Sequence, residues 1–464
     1  LHIGGKNNLP MIIIIIYNEE KPHLLHGCTV AWLADSPDVY ALIMTDTPAQ
    51  VAMHAPAPSA RYSRWLRFAA VAGPGLVVML ADTDAGSVIT AAQSGAQWGY
   101  RLLLLQMVLV PILFVVQELT VRLGIVSGKG HGDLIQEYFG RGWALLSVGT
   151  LVVACVGALL SELSGLAGVG LMFGIPSWLS MLVVVAGLIL MAYTGSYMSV
   201  ERIALAIGAF ELVFLLVAWK ARPEMGEMLT GTFSIPWREP KYLYLVAANI
   251  GAVIMPWMVF YQQSSVVEKK LTLADLPAAR WDTAFGAILT QVIMAAVLIA
   301  TAATLGTTNS GAALDTVQQI AQAITPTMGP GFGRVLFALG MSGSALVATI
   351  VVTLTAARTL GEVLGVKHSL NHTPTEAPWF YGIYTVSLVI GGAIVASGID
   401  LVRLSVGVQV MNAMLLPIVL GFLYLLARRL PQPHRLQGSY AVVVAVVILI
   451  SAGFGVYAGI AGLL

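Results

Sequence analysis

Apolar residues fall along this chain in runs of about 20 or more, separated by short polar loops, and a helix rising 1.5 Å per residue needs a run of that length to cross a bilayer. About eleven such spans are predicted. They cover residues 69–96, 101–126, 143–172, 177–196, 201–219, 242–266, 283–306, 332–360, 379–398, 401–427 and 439–463. The runs are continuous rather than alternating, which excludes an outer-membrane barrel. The pattern predicts an all-α membrane protein.

Two of the spans are interrupted at mid-depth. The first, through "LADTDAGSVIT" (residues 80–90), carries Asp82 and Asp84 and then Gly86 and Ser87. The sixth, through "GAVIMPWM" (residues 251–258), carries Gly251 and Pro256. Proline removes a backbone donor and clashes with the preceding turn, and glycine adds freedom nearby. Freed backbone groups at that depth are tolerated only against protein or a cavity. Matching interruptions five spans apart predict an inverted repeat, spans 1–5 and 6–10, with substrate bound where broken helices 1 and 6 meet.

Charge adds an orientation. Lys and Arg collect before the first span and after the second, sixth, eighth and tenth, which predicts a cytoplasmic N-terminus and an external C-terminus. Only 10% of residues are charged and the net charge is +1, so no nucleic-acid partner is expected. Cys28 and Cys155 are too few for a disulfide framework or a cysteine-rich metal site. Residues 1–60 read as a disordered N-terminal tail and 61–464 as the transmembrane domain. Within the tail, residues 1–43 read as non-native sequence ahead of an ordinary start at Met44.

An ionisable residue at mid-membrane is a functional candidate by default. Residues i and i+2 of an intact helix lie about 200° apart, so the two aspartates cannot face the same way. Asp84 abuts the break and is assigned to the substrate. Asp82 is a vestibule acid or the partner of a basic residue. A carboxylate, bare carbonyls and a hydroxyl suit a hard divalent cation, with Ser87 giving a hydroxyl and Ala252 a freed carbonyl. Met255 is either a ligand with a preference for softer metals or a gap-filling core methionine. Asn249 is expected to brace the unwound backbone. Glu211, Tyr261, Gln262 and Gln263 are candidates for the cytoplasmic path. Glu118 is expected to pair with Arg122 at i+4, and Glu201 and Arg202 to snorkel. No P-loop, His-rich zinc motif or nucleophile–base pair occurs at membrane depth, so an enzyme is not expected.

"GPGLVVMLADTDAGS" and "GAVIMPWM" resemble the first and sixth spans of the Nramp family of divalent-metal transporters, whose signatures there are Asp-Pro-Gly-Asn and Ala-x-x-Met-Pro-His. "WGYRLLL", "RLGIVSGKG" and "LMFGIP" extend the likeness. The resemblance implies a LeuT-type fold and a metal site of Asp84, Ser87 in place of the asparagine, Ala252 and Met255. It puts Trp257 where the family has a histidine tied to proton movement. Of the family's third-span Asp-x-x-Glu, which reads "LLSE" here, it keeps the glutamate as Glu162 but places Leu159 at the aspartate. Gln409 and Asn412 both compete for the tenth-span amide.

The departures remove protonatable groups and one direct amide ligand. They resemble the Nramp-related magnesium transporter branch. The expectation is therefore uptake of Mg2+, and also Mn2+, as a partly hydrated ion, without proton coupling. No cofactor is expected, and the partners are the ion and the bilayer. A monomer in a bacterial inner membrane is the expected setting. A proton-coupled Mn2+/Fe2+ symporter is the alternative on the same fold. A sodium-coupled organic-solute symporter fits less well, because an anionic headgroup would meet Asp84.

Overall fold

Proline and glycine set where the two central helices stop, and the remaining helices pack around those stops. The computed structural model describes residues 71, 73–305, 313–324, 329–398 and 400–463, all within one compact unit, Arg61–Leu464. The expectations for the tail and for Met44 lie outside the described residues.

The first span is α1 (Pro74–Asp82) and α2 (Ala85–Trp98). A turn of 3-10 helix, Gly99–Leu102, leads into α3 (Leu103–Ser127). A short helix, α4 (His131–Phe139), precedes α5 (Arg141–Met172) and α6 (Ser177–Thr194). The fifth span, α7 (Tyr197–Ala221), tightens into a 3-10 turn at Ala209–Leu212. After α8 (Met225–Thr232) the sixth span is again split, into α9 (Pro240–Val253) and α10 (Pro256–Glu268). Then follow α11 (Leu276–Leu305), α12 (Val317–Ile324), α13 (Pro330–Leu364), α14 (Pro378–Ala396), α15 (Leu401–Ala427) and α16 (Gly438–Leu463).

Among the described residues, ten helices are long and apolar enough to cross a membrane. The difference from about eleven predicted spans arises at span one. Its first half, α1, has only 9 residues. Its second half is continuous with span two through the 3-10 turn, where Gly99 at φ 58° is the point of departure from regular helix.

Each break follows from its sequence. Thr83 leaves the helix at φ −76°, ψ 42°, and Asp84 is extended at φ −67°, ψ 171°, which frees its side chain to cap α2. In span six Pro256 bars its predecessor from helical backbone, and Met255 is extended at φ −89°, ψ 138°. Pro256 then occupies the first turn of α10, where its missing N–H is not needed.

Helices five spans apart pack on each other. The broken spans meet as α1 on α10 and α2 on α9, α3 lies on α11, α5 on α13 and α6 on α14. That pairing is what a pseudo-two-fold relating two inverted halves produces. It places both breaks at the centre, flanked by α5 and α15.

Candidate metal site

Asp84 is fully buried and caps the N-terminus of α2. Its Oδ1 accepts from the Ser87 N–H at 2.5 Å and from Gln409 Nε2 at 3.4 Å. Its Oδ2 has no donor among the described residues, and the Glu162 carboxyl lies beside Asp84. The Ser87 hydroxyl donates across the gap to the Ala252 carbonyl at 3.1 Å. That carbonyl lies in the last turn of α9, where helix carbonyls lose their own donors. Met255, also fully buried, stands three residues on at the start of α10. A carboxyl oxygen, a hydroxyl, a carbonyl and the NH2 of an amide thus converge where the two breaks meet.

Gln409 and Asn412 take different places. Gln409 reaches Asp84, while Asn412 Nδ2 donates to Gln409 Oε1 at 3.0 Å and stands behind it. Glu162 comes from α5, and its Oε2 accepts the Ala85 N–H at 2.9 Å, one of the donors that the start of α2 leaves free. Trp257 is fully buried, and its Nε1 lacks a partner among the described residues.

Three expectations change. Asp82 has no ion-pair partner among the described residues; its Oδ2 accepts from the Thr290 hydroxyl at 3.3 Å, and its Oδ1 is unpartnered. The reading of Asp82 as the partner of a basic residue therefore falls. Asn249 does not brace the unwound segment. It sits in regular helix, donating to Ser94 Oγ at 2.8 Å and accepting from Gln106 Nε2 at 2.6 Å, which ties α9 to α2 and α3. Glu201 does not snorkel, because Lys269 reaches it at 2.7 Å in a buried pair. The Glu118–Arg122 pair is present at 2.5 Å, and Arg280 joins it at 2.8 Å.

Asp84, Ser87, Ala252 and Met255 are all buried. Beyond the far end of α2 lies a cavity of about 430 Å³, with Gln97, Lys241, Tyr244, Asp315 and Arg403 in its wall. Between it and Asp84, Gln93 holds Leu314 with both ends of its amide, at 2.5 Å and 3.1 Å. On the α10 side, Gln262 donates to Thr283 at 3.0 Å, Gln263 meets His131 at 2.8 Å, and Ser264 donates to Glu362 at 3.0 Å. Gln262 and Gln263 are both buried and held by these bonds on the α10 side of the breaks.

Thr83, Thr290 and Gln93 are the site neighbours that sequence reading passed over. Threonines in apolar spans usually bond to their own helix. Gln93 carried a signal in its spacing, since Ser87, Thr90 and Gln93 recur every three residues along α2.

A family model described as "Natural resistance-associated macrophage protein-like" matches residues 75–461. The "Divalent metal cation transporter MntH" of Xylella fastidiosa (strain Temecula1) is 28% identical over 331 residues, covering 67% of this chain and 68% of that protein. In fold, the chain is similar to an Eremococcus coleocola manganese transporter solved with an aromatic bis-isothiourea compound. The TM-score is 0.69 at 21% identity, over 87% of this chain and 89% of that one. It is also similar to Mhp1, a nucleobase-cation-symport-1 family transporter, with a TM-score of 0.57 at 16% identity, over 84% and 90% of the two chains.

Proposed function

Since this chain belongs to the Nramp family and is a divalent metal cation transporter of the membrane, we propose that the ion it carries is manganese, bound by Asp84, Ala252 and Met255 with Gln409 and Ser87 in support. The observation that carries the reading is the unpartnered Oδ2 of Asp84, buried where two broken helices meet. A bare carboxylate oxygen in that setting, with the Glu162 carboxyl beside it, is unfavourable without a cation or a proton, and a divalent cation is what this family carries. The similar Xylella protein is a divalent metal cation transporter and the similar Eremococcus protein a manganese transporter, which favours manganese over the magnesium expected from sequence. Met255 leans the same way, because a thioether suits a transition metal better than magnesium.

A magnesium reading keeps one specific support. Ser87 replaces an amide ligand with a short hydroxyl, which leaves room for water around an ion that dehydrates reluctantly. Coupling is the second open choice, and we read transport as uncoupled from protons. Trp257 cannot bind a proton where a histidine would. A divalent ion entering a cell already gains about 4.6 kcal/mol at 100 mV, twice the value for one charge. On this reading the Gln93 side faces out and the α10 side faces the cytoplasm of a bacterial cell.

The test is uptake of Mn2+, Mg2+ and Ca2+ into liposomes at fixed potential, read beside an internal pH dye. Manganese entry that outcompetes magnesium without acidifying the lumen is expected. Magnesium uptake undiminished by equal manganese overturns the choice of ion. Acidification that tracks metal entry and vanishes in Glu162→Gln overturns the uncoupled reading.

A further inference from the structure

Glu211 is fully buried in the 3-10 turn of α7, and the one group that faces its carboxylate among the described residues is the Thr83 hydroxyl, outside regular hydrogen-bond geometry. Two hydroxyls and a second acid lie close by. Glu211 faces the Thr83 side chain at the break of span one and is within electrostatic range of both Asp82 and Asp84. Thr83 Oγ1 is 2.8 Å from Thr290 Oγ1, and Thr290 donates to Asp82 Oδ2 at 3.3 Å. The remaining oxygen of Asp82 is bare. α7, α1 and α11 thus bring two carboxylates and two hydroxyls to one place, and no ion pair reaches either acid among the described residues. This place lies on the α1 side of Asp84, away from the cavity beyond α2.

We propose that Asp82, Glu211, Thr83 and Thr290 form a second, all-oxygen station for the transported divalent cation, occupied after Asp84 on the way out of the buried centre. Two acids so deep in the membrane stay ionised only with positive charge beside them, and one divalent ion balances both. A sodium ion would leave one negative charge over. The donors differ from those at Asp84 in having no thioether, so this station binds hard ions with less discrimination. The ion leaves a discriminating site for a less discriminating one, as a path does when selection is made at entry. Span five shapes it: the tightened turn at Ala209–Leu212 sets Glu211 against the break in span one. The inference rests on the proposed divalent transport and adds the route by which the ion leaves.

The experiment combines uptake kinetics with binding in the full chain. In liposomes, Glu211→Gln is expected to leave the KM for manganese within about threefold, since entry at Asp84 is untouched, and to lower the maximal rate at least tenfold. Glu211→Asp is expected to recover part of that rate. In detergent, Asp84→Asn is expected to keep one weak divalent site that takes magnesium and manganese alike. The double variant with Glu211→Gln is expected to lose it. If Glu211→Gln transports at the wild-type rate, or if the weak site survives in the double variant, the station is overturned while divalent transport stands. If the weak site takes sodium but no divalent ion, the assigned occupant is wrong. If wild-type protein carries neither manganese nor magnesium, the proposed function fails and the station fails with it.

Discussion

Ser87 reaches across both breaks to donate its hydroxyl hydrogen to the Ala252 carbonyl, 3.1 Å away, while its own N–H holds Asp84. One residue therefore sets the spacing of a carboxylate from span one and a carbonyl from span six. An ion entering between them competes with that hydroxyl for the carbonyl lone pairs. Ser87→Asn adds a direct amide oxygen in place of a water, and dehydration disfavours magnesium more than manganese. The manganese-to-magnesium uptake ratio is expected to rise at least fivefold. A ratio unchanged within error places Ser87 outside the ion's coordination.

Met255 tests the identity of the ion from the opposite side. It is fully buried at the start of α10, on the span that also supplies Ala252. Removing its thioether takes away the donor that favours a transition metal. Met255→Ala is expected to lower manganese uptake about tenfold while magnesium uptake changes by less than threefold. Equal losses for both ions would make Met255 a packing residue.

The two breaks were legible because their causes are local. Pro256 and the Asp-Thr-Asp-Ala-Gly run disfavour helix whatever surrounds them. The Glu118–Arg122 pair was legible for the same reason, being four residues apart on one helix. Contacts between spans were not. Gln409 and Asn412 differ by one turn of α15, and only its packing against α2 and α9 decides which of them meets Asp84. Glu201 looked like an interfacial residue until Lys269, 68 positions away, came to lie beside it. Thr83 and Thr290 carry no signal in the chain, since their role comes from helices brought together by folding.

Gly251 makes a close approach that a side chain would prevent. A methyl group there would overlap the Gln409 carbonyl oxygen and lie 2.7 Å from the Ala413 N–H, both of them backbone atoms of α15. Backbone cannot yield as a flexible side chain does, and overpacking of this kind costs about 1–3 kcal/mol. Gly251→Ala is expected to lower the melting temperature in detergent by several degrees and uptake by at least tenfold. Wild-type melting and transport would show that span six and α15 are not in contact at this point.

His131, in α4 outside the spans, sets a pH limit on stability. Gln263 gives its amide hydrogen to the Lys129 carbonyl at 2.9 Å, so its oxygen faces His131 and the ring carries its hydrogen on Nδ1. Nε2 is buried without a partner among the described residues, and burial lowers the pKa from 6.5 to about 4. The unfolded chain therefore takes up the proton first. Stability is retained above pH 6.5 and falls as pH drops toward 4, by up to about 3 kcal/mol. The melting temperature of wild type is expected to fall more steeply between pH 7 and pH 4.5 than that of His131→Asn. Parallel slopes would mean that the imidazole is already protonated in the folded protein.

The central claim is that the bare oxygen of Asp84 holds the transported ion. The most direct measurement is radioactive manganese uptake into liposomes at a fixed inside-negative potential, comparing wild type with Asp84→Asn. The substitution keeps the shape, the helix cap and the bond to Ser87, and removes only the charge. Uptake is expected to fall at least a hundredfold in a protein whose melting temperature and monodispersity match wild type. Manganese uptake within threefold of wild type would contradict the assignment of Asp84 and move the ion's path away from the two broken helices.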